Sequence, residues 1–209
     1  MSTGGHRSRG NTDESQGVVR EESGAQLVEF AVALPLLVAF VVGIFDFSGA
    51  FTLKQKLTNV ARDAARAAAA EPIDDLASAA VPVSVLDTFW IVDNYLKANE
   101  INDCGIGPSN RVKTVPATWT YSHSANGCTG LRLKIVINRG YYFPATSGAT
   151  IANVNCTPQS AGTSTAVLST CVSIEYGYKW QFGRVASLLG SAAILPNTLT
   201  ATAVAMNEN

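Results

Sequence analysis

The sequence predicts an α+β protein with a long N-terminal helix that starts in a membrane, followed by a small domain of antiparallel sheet and helix. Two observations predict the helix: a nearly uncharged apolar stretch from Leu27 to Leu53, and an alanine-rich stretch that continues it to Ala70. The third observation is a set of β-type runs in the second half, separated by turn residues. Together they predict an anchored rod that carries a compact head.

Composition limits the class of protein. Only 15% of the 209 residues are charged and the formal net charge is -1, whereas 47% are hydrophobic. Soluble domains average about 25% charged residues. Nucleic-acid binding needs a basic surface that displaces counterions, so nucleic acid is not an expected partner.

The N-terminal residues 1–24 form a leader without a core of its own. Met1–Ser23 are rich in glycine, serine, arginine and acidic residues, and Val18-Val19 is their only apolar pair. Such a composition buries too little apolar surface to fold alone. We therefore expect this segment to be flexible.

The stretch after the leader is long enough to cross a membrane, which takes about 20 mainly apolar residues. Its interruptions, Glu29 and Asp46, lie roughly 26 Å apart along a helix. Both carboxylates can therefore reach opposite headgroup layers, with Asp46 expected as an interface residue. A soluble core helix would be more polar, and a secretory signal would have a shorter apolar part. We expect a membrane anchor over about residues 27–53, with membrane lipid as a partner.

The helix continues beyond the membrane as a stalk. Residues Lys54–Ala70 are rich in alanine and other strong helix formers. Glu71 precedes Pro72, which disfavours helix at the residue before it, so the helical part covers 25–71. The small alanine face either packs closely on a neighbouring helix or belongs to a solvated stalk.

Residues 72–209 predict the α+β domain. An amphipathic helix is expected over Val83–Asn99, because Val85, Phe89, Val92 and Leu96 recur at helical spacing. A loop is expected at Asn126-Gly127, and a loop or short helix at Leu188–Asn197. The predicted strands are Arg111–Tyr121, Leu131–Asn138 (with Leu131, Leu133, Ile135 and Ile137 on one face), Ala166–Tyr178 and Leu199–Met206.

All the cysteines follow the anchor, at Cys104, Cys128, Cys156 and Cys171. Their spacing lacks the tight ligand pairs of zinc sites, so no metal is expected. Two disulfides fit an extracytoplasmic domain, and four buried thiols would fit a cytosolic one. Three connectivities are possible; Cys104–Cys128 with Cys156–Cys171 is favoured because each pair closes a local loop. We give the cysteines more weight than the lysines and arginines flanking the anchor, which weakly favour a cytoplasmic C-terminus.

The segment from Gly24 to Ala69 resembles TadE-like proteins, the minor pilins or pseudopilins of tight-adherence (Tad) pilus systems. The matching features are Gly24, the Val28-Glu29-Phe30 triplet, Leu34-Pro35-Leu36, Gly43 with Asp46-Phe47, and the alanine- and arginine-rich helix that follows. The resemblance implies cleavage between Gly24 and Ala25 by a prepilin peptidase. It also implies that Glu29, fifth in the mature chain, pairs with the N-terminal amine of a neighbouring subunit. The other possibility is a headgroup position at the helix N-terminus.

The resemblance implies a non-catalytic subunit for assembly of a Tad/Flp-type pilus used in adhesion. Its partners would be other pilin-like subunits and the assembly machinery, and it would span the inner or cytoplasmic membrane once with its head outside. The alternative is a single-pass anchored binding module that never enters a filament. No catalytic motif was found, so no enzyme activity and no cofactor are expected. His123 is expected at the surface or in a strand, and Trp90, Trp119 and Trp180 as core or interface anchors.

Overall fold

Helix α1 covers Ser15–Ala70 without interruption, Pro35 included. The computed structural model describes residues 15–77, 80–106, 113–115, 119–128, 132–144, 156–157, 166–181 and 196–208. Within the expected leader, Ser15–Ser23 belong to this helix, and residues 1–14 lie outside the described part, so the flexibility of the leader stays a prediction. Once the apolar segment has nucleated a helix, extending it through residues such as Glu21 and Glu22 costs little.

The chain divides into two compact units, Met1–Phe45 and Asp46–Asn209. The second unit, called the head below, contains the last part of α1, a 3-10 turn at Asp74–Ala77 and helix α2 at Val83–Ala98. It also contains an antiparallel sheet of five strands in the order of the chain. The strands are β1 (Lys113–Val115), β2 (Thr120–Ala125), β3 (Leu133–Pro144), β4 (Ala166–Gly177) and β5 (Thr198–Met206).

The α+β class is confirmed, and α2, β4 and β5 lie within one or two residues of their predicted bounds. The single strand expected over Arg111–Tyr121 is wrong, because this run forms β1 and β2, which pair antiparallel. Pro116 cannot donate to a strand ladder, and Trp119 has a positive φ of 48°. The chain therefore turns here; residues 116–118, Leu131 and most of Leu188–Asn197 lie outside the described residues.

The main core lies between one sheet face and the two helices. The four α2 residues expected on the apolar face, Val85, Phe89, Val92 and Leu96, are at most 3% exposed. They pack in one cluster with β3 and β4 and with α1 from Leu57 onward. The predicted apolar face of β3 is confirmed for its described members, Leu133, Ile135 and Ile137, all fully buried.

The alanine face of α1 belongs to this core. Its members are at most 2% exposed: Ala61, Ala64, Ala65, Ala68 and Ala69. Small side chains let a helix approach its neighbours closely, and here the neighbours are elements of the same chain. A solvated stalk is therefore excluded for this face, which lies in the second unit, Asp46–Asn209.

All four cysteines are paired, Cys104 with Cys128 and Cys156 with Cys171. These are the two local pairs that the spacing favoured. Cys156 and Cys171 are fully buried on the second face of the sheet, in a small cluster with Val136 and Tyr141. Cys104 and Cys128 join the main core instead, so each sheet face has one crosslink.

A β-bulge in β3 connects the sheet to the end of α1. The register with β4 shifts between Asn138 and Tyr141, and this irregularity contains the fully buried Arg139. The Nη2 of Arg139 donates to the carbonyl oxygens of Glu71 at 2.7 Å and Pro72 at 3.4 Å. A cation is favourable at a helix C-terminus, where carbonyl groups lack intrahelical partners. Arg139 therefore caps the end of α1 from within the sheet.

Candidate functional site

The first unit exposes almost all of its large apolar side chains. Their exposed fractions range from 41% to 74%, in Leu27, Val28, Phe30, Val32, Leu34, Leu36, Leu37, Val38, Phe40, Val41, Ile44 and Phe45. A helix that is apolar on every side is stable only where lipid or other apolar partners surround it. By length and composition, α1 contains one candidate membrane span.

The length of this exposed segment matches a lipid bilayer. Gly24–Phe45 rises roughly 32 Å at about 1.5 Å per residue, and the hydrocarbon core is about 30 Å thick. From Asp46 onward α1 belongs to the head, and Asp46 and Ala50 are already buried. Residues 46–53 of the expected span 27–53 therefore belong to the head.

The residues expected to take part in processing lie together near the start of this segment. An added Cβ at Gly24 would meet nothing within 4 Å, so the backbone there is open. Ala25 and Glu29 are one helical turn apart on one face, bordered by Val28, Val32 and Leu36. Among the described residues the ion pairs are those of Lys97, so Glu29 has no cationic partner there. Its carboxylate is exposed among apolar neighbours.

At the other end of the segment, Asp46 is bound inside the head. Its side chain is buried, and the hydroxyl of Tyr178 donates to both its Oδ1 at 3.0 Å and its backbone carbonyl at 3.1 Å. Asp46 is thus held within the head, and its expected position at the membrane interface stays a prediction. A contact between residues 132 positions apart leaves no local signal that a sequence pattern could reveal.

Aromatic rings surround this contact. The ring of Trp180 lies 5.1 Å from Phe47 and 4.9 Å from Tyr178, and its Nε1 donates to the carbonyl oxygen of Pro196 at 2.6 Å. Trp180 is half-buried, as an interface anchor would be. Of the other two tryptophans, Trp119 packs against the core and Trp90 is 43% exposed on α2.

The other titratable and sulfur-bearing candidates contribute to the core of the head. We expected His123 at the surface or in a strand. It lies in strand β2, where it is buried and its ring centroid is 5.9 Å from that of Phe89. The surface position is therefore wrong. Within the described ranges no group of three or more His, Cys, Asp and Glu side chains could hold a metal ion.

Most of α1 resembles a known protein family. Residues 24–66 match the model of the family described as TadE-like protein. This segment is TadE-like. The resemblance derived from Gly24, Glu29 and Asp46-Phe47 is thus confirmed over this range. Neither the curated proteins nor the solved structures gave a match to the chain.

The TadE-like segment crosses the division between the two units. It starts at Gly24, contains the exposed apolar helix, and ends at residue 66 among the buried alanines of the head. The sheet lies beyond the match.

The Tyr178–Asp46 contact should be visible in the stability of the head. Burial, together with the hydrogen bond and negative charge of Asp46, raises the pKa of Tyr178 above its ordinary value. The folded state therefore keeps a proton that the unfolded chain loses first. The resulting stability is fully present below pH about 10 and disappears as pH rises through the folded pKa.

We expect Tyr178→Phe to lower the free energy of unfolding by about 1.5 kcal/mol at neutral pH, because Asp46 loses a donor. The variant should also lose less stability than the parent chain between neutral pH and pH about 11. Urea unfolding of the full chain in detergent measures both effects. Tyr142→Phe, in a half-buried tyrosine of β3, is the matched control. Equal losses in the two variants would show that the Asp46 contact contributes nothing.

Proposed function

We propose that this chain is a non-catalytic, membrane-anchored, pilin-like subunit that takes part in assembling a Tad pilus used in surface adhesion. The observation that carries the proposal is the TadE-like match on a helix whose residues 24–45 expose most of their large apolar side chains. Such a surface suits lipid before assembly and other apolar helices after it. The head, built around its own core, would project from the membrane or the filament.

The start of the helix suits processing by a prepilin peptidase between Gly24 and Ala25. Gly24 is free of side-chain neighbours, and the leader before it lacks a core of its own. Cleavage would create an ammonium group on Ala25 and make Glu29 the fifth mature residue. The cut would thus produce a cation at the end of the helix that carries Glu29, whose carboxylate has no ion pair among the described residues.

Glu29 is then suited to pair with the terminal amine of a neighbouring subunit. Its neighbours on the helix face, Val28, Val32 and Leu36, are apolar. An ionised carboxylate near hydrocarbon is costly unless a cation and hydrogen bonds compensate it. Pairing between subunits removes this cost only when the neighbour is in register, so it would favour one axial offset between adjacent helices.

The two disulfides support an extracytoplasmic head on a single-pass anchor in the inner or cytoplasmic membrane. Both pairs lie in buried clusters of the head; Cys104–Cys128 joins two loops, and Cys156–Cys171 joins a residue outside the strands to β4. Disulfides form and persist mainly in oxidising compartments. Assembly machinery in the membrane would reach the chain through the leader and the apolar helix.

Photo-crosslinking in cells that assemble the pilus tests whether the helix meets other subunits. A photoreactive residue would replace Val32, which is 73% exposed in the apolar helix. The matched control is Trp90, an exposed position on α2 of the head. We expect the probe at position 32 to capture a second pilin-like subunit, and to do so more than the probe at position 90.

Capture of lipid alone at position 32, in cells with a full set of pilus proteins, would contradict the filament proposal. The chain would then be a permanently anchored module. If the chain is recovered in the soluble fraction, with neither lipid nor protein attached at position 32, the anchor proposal is wrong as well.

A further inference from the structure

We propose that the base of the head is a lipid-contacting collar, which sits in the phospholipid headgroup layer and fixes the depth of the protein. The collar consists of Phe47, Phe51, Tyr178 and Trp180. This inference rests on the proposed membrane anchor and specifies where the anchor ends. Its occupant is the boundary between headgroups and acyl chains of a phospholipid bilayer.

The collar presents aromatic surface outward although the surrounding head is folded. Phe47 is 55% exposed and Phe51, one helical turn further on, is 65% exposed. Tyr178 and Trp180 are half-buried, and the Trp180 ring packs against both Phe47 and Tyr178. Isolated exposed phenylalanines are ordinary on protein surfaces, but a cluster of four aromatic residues indicates an interaction site.

The polar atoms of the collar are already satisfied within the head. The Tyr178 hydroxyl donates to Asp46, and the Trp180 Nε1 donates to the carbonyl of Pro196. The rings can therefore enter a partly apolar layer without leaving an unpaired donor there. Tyrosine and tryptophan are enriched at membrane–water interfaces because their rings are apolar and their polar atoms tolerate water.

The position along α1 selects lipid as the occupant. Phe47 lies two residues after Phe45, where the first unit ends. The exposed apolar segment Gly24–Phe45 rises roughly 32 Å, close to the thickness of the hydrocarbon core. The headgroup layer is roughly 5–8 Å thick on each side, and residues 46–51 rise about 8 Å along the helix. Lys54, half-exposed beyond them, would reach the phosphate groups.

Tryptophan quenching in vesicles tests the collar directly. The full chain is reconstituted in phosphatidylcholine and phosphatidylglycerol vesicles that contain lipid brominated near the headgroup end of its acyl chains. We expect Trp180→Phe to reduce quenching at least about twofold and Trp90→Phe to leave it nearly unchanged. The control is suitable because Asn99, the C-cap residue of α2, accepts a hydrogen bond from Lys56, and Trp90 lies about 13 Å back along that helix. Quenching that stays at the parent level in Trp180→Phe would overturn the proposal.

A spin label separates failure of the collar from failure of the anchor. All native cysteines are paired, so Phe40→Cys, Phe47→Cys and Asp63→Cys each provide one free thiol for a nitroxide. We expect oxygen to reach position 40 best, a soluble nickel complex to reach position 63 best, and position 47 to be intermediate. If the label at position 40 lies in hydrocarbon and the label at position 47 lies in water, the collar proposal alone is wrong. If the label at position 40 lies in water, the anchor proposal is wrong. A label at position 47 shielded from both reagents would mean that protein, and not lipid, covers the collar.

Discussion

Replacing Glu29 by alanine is expected to reduce the amount of this chain in sheared pili at least about tenfold. The wild-type carboxylate lies on an apolar helix face and, among the described residues, lacks a cationic partner within its own chain. In the proposed filament it meets the amine of Ala25 from a neighbour. Breaking a buried ion pair costs about 3–5 kcal/mol, and about 1.4 kcal/mol corresponds to a tenfold change in an equilibrium.

The comparison that isolates the charge is Glu29→Gln, which keeps the size of the side chain and should be nearly as defective as alanine. Glu71→Gln removes a carboxylate at the other end of α1, where the side chain is exposed, and should leave filament incorporation unchanged. Immunoblots of sheared pili and of membranes give the two amounts. If Glu29→Ala enters pili as well as the parent chain, the pairing proposal is wrong.

Replacing Arg139 by methionine is expected to lower the free energy of unfolding by about 3 kcal/mol. Its guanidinium is fully buried and donates to the carbonyl of Glu71 at 2.7 Å, so the variant leaves the end of α1 without this cap. The backbone carbonyl of Arg139 also accepts a hydrogen bond from Asn207 Nδ2 at 3.2 Å. A disturbed bulge would thus weaken both α1 and the segment after β5.

Arg132→Met is the matched control. Arg132 is exposed directly before β3, so its replacement should change the free energy of unfolding by little. Urea unfolding of the full chain in detergent should separate the two variants by at least about 2 kcal/mol. Coincident unfolding curves would mean that Arg139 contributes no more than a surface cation.

Local periodicity explains which elements could be predicted. Helix α2 and strands β3 to β5 repeat apolar residues at the spacing of their own geometry, so their existence follows from a few neighbouring positions. The split of Arg111–Tyr121 into β1 and β2 was missed because the alternation continues across Pro116. The proline was the available signal, since it cannot donate to a ladder.

The residues of the candidate site also fall into those that local sequence predicts and those that it does not. Gly24, Ala25 and Glu29 form a local motif, and their position on the exposed helix could be anticipated from sequence. The Asp46–Tyr178 contact and the collar around it could not, because two segments far apart in sequence meet only after the sheet has formed. Arg139 was missed for the same reason, since its partners are the carbonyls of Glu71 and Pro72.

The most direct test of the proposed function is the mature N-terminus of the protein extracted from membranes, measured by intact mass and terminal peptide sequencing. Cells with an active prepilin peptidase should yield a chain that begins at Ala25, and Gly24→Val should retain the leader while Gly17→Val, a glycine within the leader, should not. A parent chain that begins at Met1 or Ser2 in these cells would contradict prepilin-type processing. Glu29 would then have no new amine to meet, and the anchored binding module would be the better account.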